Sequence, residues 1–233
     1  MGLFMALSSA LGAKAEDLER VLEAYVKGEG GVFEPVSEVK PDDTEWAAVW
    51  EDGGNATFLY PTYFCFWDDA SAHLSKELGV SVFSFHIDDG DLWMFVLFED
   101  GKETAWFNPV PGYWEELSEE ERRKWAGDAE AVATRLPDVS AETLAPYFVE
   151  WDDAVMAEYP GRKAFPDDEF PTGDCWQLLD FMKRARLPYP LNHDGSPRGR
   201  TWRVVLQAKR SSVRKASSLG SSKRPKKPWW KFW

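Results

Sequence analysis

One turn of the sequence brings a histidine close to three aspartates. His86 is followed within five positions by Asp88, Asp89 and Asp91. Imidazole nitrogens and carboxylate oxygens bind divalent cations, so these four residues are weak candidates for a metal site at the edge of a sheet. Aspartate is also a preferred residue of such turns, and the spacing matches no established metal motif. We therefore predict neither a metal site nor a cofactor.

Pairs of adjacent aspartates recur along the chain. They lie at positions 42–43, 68–69, 88–89, 152–153 and 167–168. Two carboxylates can carry out acid–base catalysis when burial raises the pKa of one of them. Most of these pairs stand at predicted helix starts or turns, where aspartate caps backbone N–H groups, which favours a structural role.

Established catalytic motifs are missing from the sequence. It contains no GxSxG, GxxxxGK[ST] or HExxH motif and no GxGxxG motif after a predicted strand. We therefore expect a protein without catalytic activity. The alternative is a hydrolase that uses the carboxylates near the turn at 88–91.

The charge is divided unevenly along the chain. Residues 1–194 contain all 40 Asp and Glu and only 15 Lys and Arg, a net charge of −25, whereas residues 195–233 contain 12 basic residues and no acidic ones. A body with this charge repels nucleic acid and anionic membranes and attracts cationic partners. The first choice is an acidic interaction protein that binds a basic protein, in the manner of an immunity protein or inhibitor that neutralises a basic toxin such as a nuclease.

The basic segment has the composition of a flexible linker. Residues 195–228 are rich in Ser, Gly, Lys and Arg, although residues 201–207 could form a brief strand. Aromatic and basic residues alternate after this segment. The candidate partner-binding residues there are Lys226, Lys227, Trp229, Trp230, Lys231, Phe232 and Trp233.

Several uses of this aromatic segment compete. We favour docking into a pocket on a protein partner, because three tryptophans are costly to leave in water. Weak anchoring at a membrane surface and stacking on single-stranded nucleic acid are alternatives that act only through this tail. In a fourth interpretation the tail folds back onto the acidic body.

Residues 80–109 organise the predicted fold. Three apolar or alternating runs, at 80–87, 92–99 and 102–107, are separated by DDGD and DG turns, which indicates an antiparallel β-meander. Both faces of the second run are apolar, so we expect a central strand that is covered on both sides. The third run alternates polar and apolar residues and suits an edge strand.

A helix followed by three strands is predicted twice. A helix at 15–27 precedes strands at 32–36, 45–50 and 56–60, and a helix at 67–78 precedes the meander. The sequence therefore predicts an α+β fold. Two αβββ units would form one antiparallel sheet of about six strands with two helices on one face.

Short helices dominate the second half of the body. A capping box begins at Ser118, Ser140 caps a later helix, and residues 174–185 form an amphipathic helix. We expect this helical portion, 114–194, to pack on the sheet domain, 1–113, in one globule. Residues 195–233 are predicted to be a flexible tail.

The location is predicted to be cytoplasmic. Cys65 and Cys175 fit neither a disulfide framework nor a zinc motif, which favours buried thiols in a reducing compartment. No run reaches transmembrane length. Residues 3–13 are apolar and a possible A-x-A cleavage site follows, but no Lys or Arg precedes the run, so we do not predict a secretory signal.

The body also resembles a group of uncharacterised bacterial proteins. The shared features are an MGLFMAL-type start, an FSFHIDDGDLWMFVLFEDG core and a DCWQLLDFMKR helix followed by LPYPL. The resemblance covers residues 1 to about 191 and does not include the tail. It implies a bacterial cytosolic protein and carries no activity.

Overall fold

A computed structural model describes the protein over residues 2–40, 43–62, 64–152, 156–157 and 161–206. Eight strands of the described chain form one antiparallel sheet. They are β1 Met5–Ala10, β2 Val32–Val36, β3 Trp46–Asp52, β4 Asn55–Leu59, β5 Val82–Asp88, β6 Leu92–Glu99, β7 Lys102–Phe107 and β8 Arg200–Val205. Their order across the sheet is β2-β8-β3-β4-β1-β5-β6-β7.

Helices cover both faces of this sheet. The α-helices described in full are α1 Ala15–Gly28, α2 Trp67–Leu78, α3 Glu119–Trp125, α4 Ala129–Ala133, α5 Ala141–Leu144 and α6 Gln177–Arg184, and a 3-10 helix spans Ala145–Tyr147. The predicted α+β class and the helical second half of the body are confirmed.

The two predicted αβββ units occur in the expected order. α1 precedes β2, β3 and β4, and α2 precedes β5, β6 and β7. Two further strands complete the sheet: β1 lies between β4 and β5 and joins the two units, and β8 lies between β2 and β3. The brief strand predicted at 201–207 is thus β8, inside the segment predicted as a tail. Residues 207–233, with all seven candidate partner-binding residues, lie outside the described residues.

The β-meander has the predicted geometry. Strand β6 lies between β5 and β7 and is buried from Leu92 to Phe98, whereas β7 is an edge strand. Asp100 and Gly101 adopt φ values of 49° and 72° in the turn between β6 and β7, as a two-residue type I′ hairpin requires.

An aromatic core joins the helical portion to the sheet. At its centre the Phe181 ring of α6 lies within 6.0 Å of its neighbours, measured between ring centroids. These neighbours are Phe85, Trp93, Phe95, Tyr147 and Phe148. The prediction that the helical portion covers the second face of the central strands is confirmed.

The opposite face of the sheet packs against α1 and α2. Leu18, Leu22 and Leu74 from these helices are fully buried with Phe58 of β4. A chain of hydroxyl groups also lies in this layer, where Ser8 Oγ is 2.7 Å from Tyr60 Oη and 2.6 Å from Ser71 Oγ. Because each of these buried hydroxyl groups has a partner, their burial costs little.

A buried ionic network fastens residues 163–170 to α6. The Asp168 carboxylate accepts hydrogen bonds from Tyr147 Oη at 2.8 Å, the Phe165 backbone N–H at 2.9 Å and Arg184 Nη2 at 3.0 Å. The Asp180 carboxylate accepts further bonds from the backbone in the same segment. The aspartate pair at 167–168 therefore serves structure, as predicted.

The two cysteines differ in exposure. Cys175 is buried, whereas Cys65 is exposed, so the prediction of two buried thiols is wrong for Cys65. It lies in the turn that leads into α2, where Phe64 before it is buried and Phe66 after it is half-buried. Among the helices of the described chain, none is both long and apolar enough to span a lipid bilayer.

Candidate interaction surface

Three separate segments meet at one end of the sheet. The pairing of Met5 with Ile87, of Asp88 with Leu92 and of Phe95 with Phe107 places the start of β1, the turn between β5 and β6, and the exit of β7 side by side. We call this region the acidic end and define it by Phe4, Asp88, Asp89, Asp91 and Tyr113.

The turn between β5 and β6 is tight. Asp89 and Gly90 have φ values of 53° and 80°, and the Asp91 N–H donates to the Asp88 carbonyl oxygen at 2.9 Å. The residues before β1 lie directly against this turn. A Cβ atom on Gly2 would lie 1.4 Å from an Asp89 carboxylate oxygen, so only glycine fits at this close approach.

Exposed aromatic side chains flank the carboxylates. Within the described residues, the large hydrophobic side chains classed as exposed are Phe4, at 44%, and Tyr113, at 39%. The Tyr113 hydroxyl donates a hydrogen bond to the Asp91 carboxylate, and the Tyr113 ring lies 4.9 Å from that of Trp114. Aromatic residues combined with polar groups are typical of the energetic centres of protein interfaces.

The environment of the turn changes two pKa values. The hydrogen bond to Asp91 raises the pKa of Tyr113 to about 12, with burial as the next cause. Burial is also the main reason why the pKa of Asp88 is raised above its usual value, and the neighbouring charge of Asp89 adds to this effect. The acidic end therefore holds one carboxylate whose negative charge is unfavourable in the folded protein.

Substitution of Asp88 with asparagine is expected to stabilise the protein at neutral pH. The raised pKa means that the folded state binds the proton more tightly than the unfolded state, so stability is lost as the pH rises through the folded-state value. Urea unfolding of Asp88→Asn and the parent protein should show the gain at pH 7 and little difference below about pH 3.9, the ordinary aspartate pKa.

Asp100→Asn is the matched control for this measurement. Asp100 occupies the turn at the other end of β6, and its side chain is exposed. Its replacement should change the unfolding free energy by less than about 0.5 kcal/mol at both pH values. An equal gain in both variants would contradict the assignment of the effect to Asp88.

His86 is held on the α2 side of the sheet. Its Nε2 atom lies 3.1 Å from Asp68 Oδ1 and 3.2 Å from Ser84 Oγ, and the ring is buried against Trp67. A Ser-His-Asp triad needs the nucleophile and the orienting carboxylate on different ring nitrogens. Because one nitrogen faces both neighbours, this arrangement is structural.

The weak metal candidates do not form a coordination site. His86 faces Asp68 and Ser84, while the Asp91 carboxylate accepts a hydrogen bond from the Tyr113 hydroxyl. In the described parts of the chain, no group of three or more His, Cys, Asp or Glu residues is arranged to hold a metal ion.

A hollow of about 530 Å³ lies next to the acidic end. Its wall consists of residues 109–112, which follow β7, together with residues 116–117, Arg122 and residues 150–152. The carboxylates of the turn at 88–91 lie outside this lining. The hydrolase alternative would need those carboxylates to converge in a cleft, and the turn instead exposes Asp89 and Asp91 to solvent.

Sequence reasoning located the carboxylates of this surface but missed its aromatic residues. Phe4 lies in an apolar run with no clear alternation, and Tyr113 and Trp114 follow a proline-rich loop. The available signal was the PVPGYWEE segment, in which aromatic residues stand between turn residues and acids. Aromatic residues in such loops are commonly exposed and functional.

Comparison with known proteins finds no relative. No protein-family model matches the chain, and neither a curated protein sequence nor a solved structure matches it significantly.

Proposed function

We propose that this chain is a non-catalytic acidic interaction protein that binds a basic protein partner through the acidic end. The observation that carries the proposal is the coincidence of the exposed Phe4 and Tyr113 side chains with the carboxylates of Asp89 and Asp91. The exposed aromatic side chains supply apolar contact area, and the carboxylates at the same end of the sheet select a cationic surface.

The charge of the whole chain supports the same partner. Residues 1–206 contain 40 acidic and 18 basic residues, a net charge of −22. Such a field accelerates association with a cationic protein and makes the rate sensitive to salt. A basic toxin, such as a nuclease, is the partner class that we propose, with this protein as its inhibitor in the bacterial cytoplasm.

Affinity capture with the full chain tests this proposal. A lysate of the source organism, passed over the immobilised protein at low salt, is expected to yield a basic protein that is released at high salt. The captured partner then allows quantitative measurement of its binding. Recovery of no basic protein, or of one that high salt does not release, would contradict the proposed mode of binding.

Neutralisation of one carboxylate should slow this association. An exposed charge pair contributes about 0.2–1 kcal/mol, so Asp89→Asn is expected to reduce the association rate constant by up to about fivefold. Asp100→Asn is the matched control, because it is the corresponding hairpin residue with positive φ at the opposite end of the sheet. Equal rate constants for the two variants would show that the partner does not use the acidic end.

Loss of the exposed ring should weaken the complex more strongly. Interface aromatic residues commonly contribute about 1–2 kcal/mol or more, so Tyr113→Ala is expected to raise the Kd about tenfold. Tyr113→Phe keeps the ring and loses only the hydrogen bond to Asp91, so its effect should be smaller.

A further inference from the structure

The hollow beside the exit of β7 has apolar walls. Apolar surface in its lining comes from Pro109, Pro111, Leu117 and Trp151. The backbone N–H of Trp151 donates a hydrogen bond to the Pro109 carbonyl oxygen at 2.7 Å, which connects the two sides of the hollow. A volume of about 530 Å³ lies within the range of sites that take groups the size of aromatic side chains.

Acidic side chains dominate the polar lining of the hollow. Glu116, Glu150 and Asp152 contribute carboxylates, and the cation in the lining is Arg122, whose guanidinium is paired with Glu150. The excess negative charge around an apolar floor fits a ligand that combines aromatic and basic groups.

One buried donor in this wall has no acceptor. The Trp151 Nε1 atom is shielded from solvent and has no hydrogen-bond partner within the described parts of the chain. Buried donors in folded proteins are nearly always paired, because an unpaired one costs about 1–3 kcal/mol. The Trp151 indole, which belongs to the lining of the hollow, therefore keeps an unpaired N–H group.

The chain itself supplies a segment with the required chemistry. Residues 207–233 contain nine Lys and Arg and no acidic residue, and their last five positions read WWKFW. We propose that residues 226–233 dock in the hollow of their own molecule, with aromatic side chains against Leu117 and Trp151 and lysines beside the carboxylates.

The exit point of the chain is compatible with this docking. Antiparallel pairing places the end of β8 at the same end of the sheet as the exit of β7. Five strands separate β8 from β7, which corresponds to about 29 Å across the sheet. A linker of the length between Leu206 and Trp229 has a root-mean-square span of about 25–30 Å and reaches at most about 75 Å, so the hollow lies within its range.

Paramagnetic NMR on the full chain tests the docking. A nitroxide is attached to a cysteine introduced by Ser222→Cys in a Cys65→Ser background, in which the remaining thiol of Cys175 is buried. We expect broadening of the methyl resonances of Val110 and Leu117 that is unchanged on dilution, with the buried methyl groups of α1 unaffected. Triple substitution of Trp229, Trp230 and Trp233 with alanine should abolish this broadening.

Two charge-reversal variants at neighbouring positions distinguish docking in the hollow from non-specific attraction of the basic tail to the acidic body. Glu115 and Glu116 are both exposed, but only Glu116 belongs to the lining of the hollow. Glu116→Lys should therefore abolish the broadening, and Glu115→Lys, with the same change in net charge, should preserve it. Equal effects of the two variants would overturn the proposal in favour of diffuse attraction to the acidic body.

Other results would overturn the proposal in different ways. Broadening that disappears on dilution would assign the segment to a second copy of the chain. Absence of broadening in the free protein would leave the tail available to a partner, a membrane surface or nucleic acid. None of these outcomes depends on whether the acidic end binds a basic protein, so the docking and the proposed function can fail separately.

Discussion

Phe181→Ala is expected to lower the free energy of unfolding by about 3–5 kcal/mol, the range for loss of a buried phenylalanine. The Phe181 side chain is fully buried, and its ring contacts aromatic residues from the sheet and from the helical portion. The alanine variant would therefore leave a cavity where the Phe181 ring now contacts both the sheet and the helical portion. Urea unfolding monitored by circular dichroism should show a lower midpoint with little change in slope.

Leu179→Ala provides the control within the same helix. Leu179 lies in α6 two positions from Phe181 and is only partly buried. Alanine preserves helix propensity there, so the expected loss is below about 1.5 kcal/mol. A similar loss in both variants would show that α6 as a whole, and not the aromatic contact, is responsible.

Arg184→Met is expected to have an effect of comparable size. The substitution removes the guanidinium that lies 3.0 Å from Asp168 Oδ1, and the Asp168 side chain is only 3% exposed. Removal of one partner from a buried ion pair commonly costs about 3–5 kcal/mol, and Asp168 keeps its hydrogen bonds from Tyr147 and Phe165 here, so we expect a loss near the lower end of this range. The loss should appear as a reduced unfolding free energy and as faster proteolysis within residues 161–170, which the network fastens to α6.

Arg186→Met is the corresponding change at an exposed ion pair. Arg186 contacts Asp138 at 3.2 Å, and their side chains are 61% and 79% exposed. Exposed pairs contribute about 0–1 kcal/mol, so this variant should remain close to the parent protein. A large loss at Arg186 would mean that burial does not decide the strength of these pairs.

The meander and the repeated αβββ order could be predicted because local signals agree there. The DG turn demands positive φ at two positions, and the double-sided apolar run at 92–98 requires cover on both faces. Turn chemistry and hydrophobic pattern thus point to the same strands, and the structure places them where the sequence indicates.

The first and last strands along the chain, β1 and β8, were harder to place in the sheet. Strand β1 reads MALSSA, and its Ser8 and Ser9 mask the apolar alternation even though both are completely buried. Their hydroxyl groups are paired with Tyr60 and Thr57, residues that are distant in sequence. Strand β8 lies in a basic segment that was predicted as a tail, and it pairs with β2 and β3. The assignment of β1 as a strand, and the placement of β8 between β2 and β3, depend on long-range contacts that local patterns do not contain.

The sequence predicted the negative charge of the acidic end, but not which side chains come together there. Asp88, Asp89 and Asp91 are visible as a turn, and spacing alone made His86 no more than a weak candidate to join them at a metal site. The structure directs His86 toward Asp68, because α2 packs on that face of β5. Residues 2–3, next to the exposed Phe4, and the exposed Tyr113 reach the same turn from segments about 110 residues apart, which the sequence alone does not reveal.

The position of β8 has a consequence for biosynthesis. Strand β2 is made early, but its hydrogen-bonded neighbour in the sheet is β8, about 170 residues later. Until that late segment leaves the ribosome, β2 has no neighbour and the outer side of β3 is an open strand edge, which can pair with other chains. Nascent chains in which β8 is not yet made, or still lies inside the ribosome, should therefore depend on chaperones and be removed by proteases.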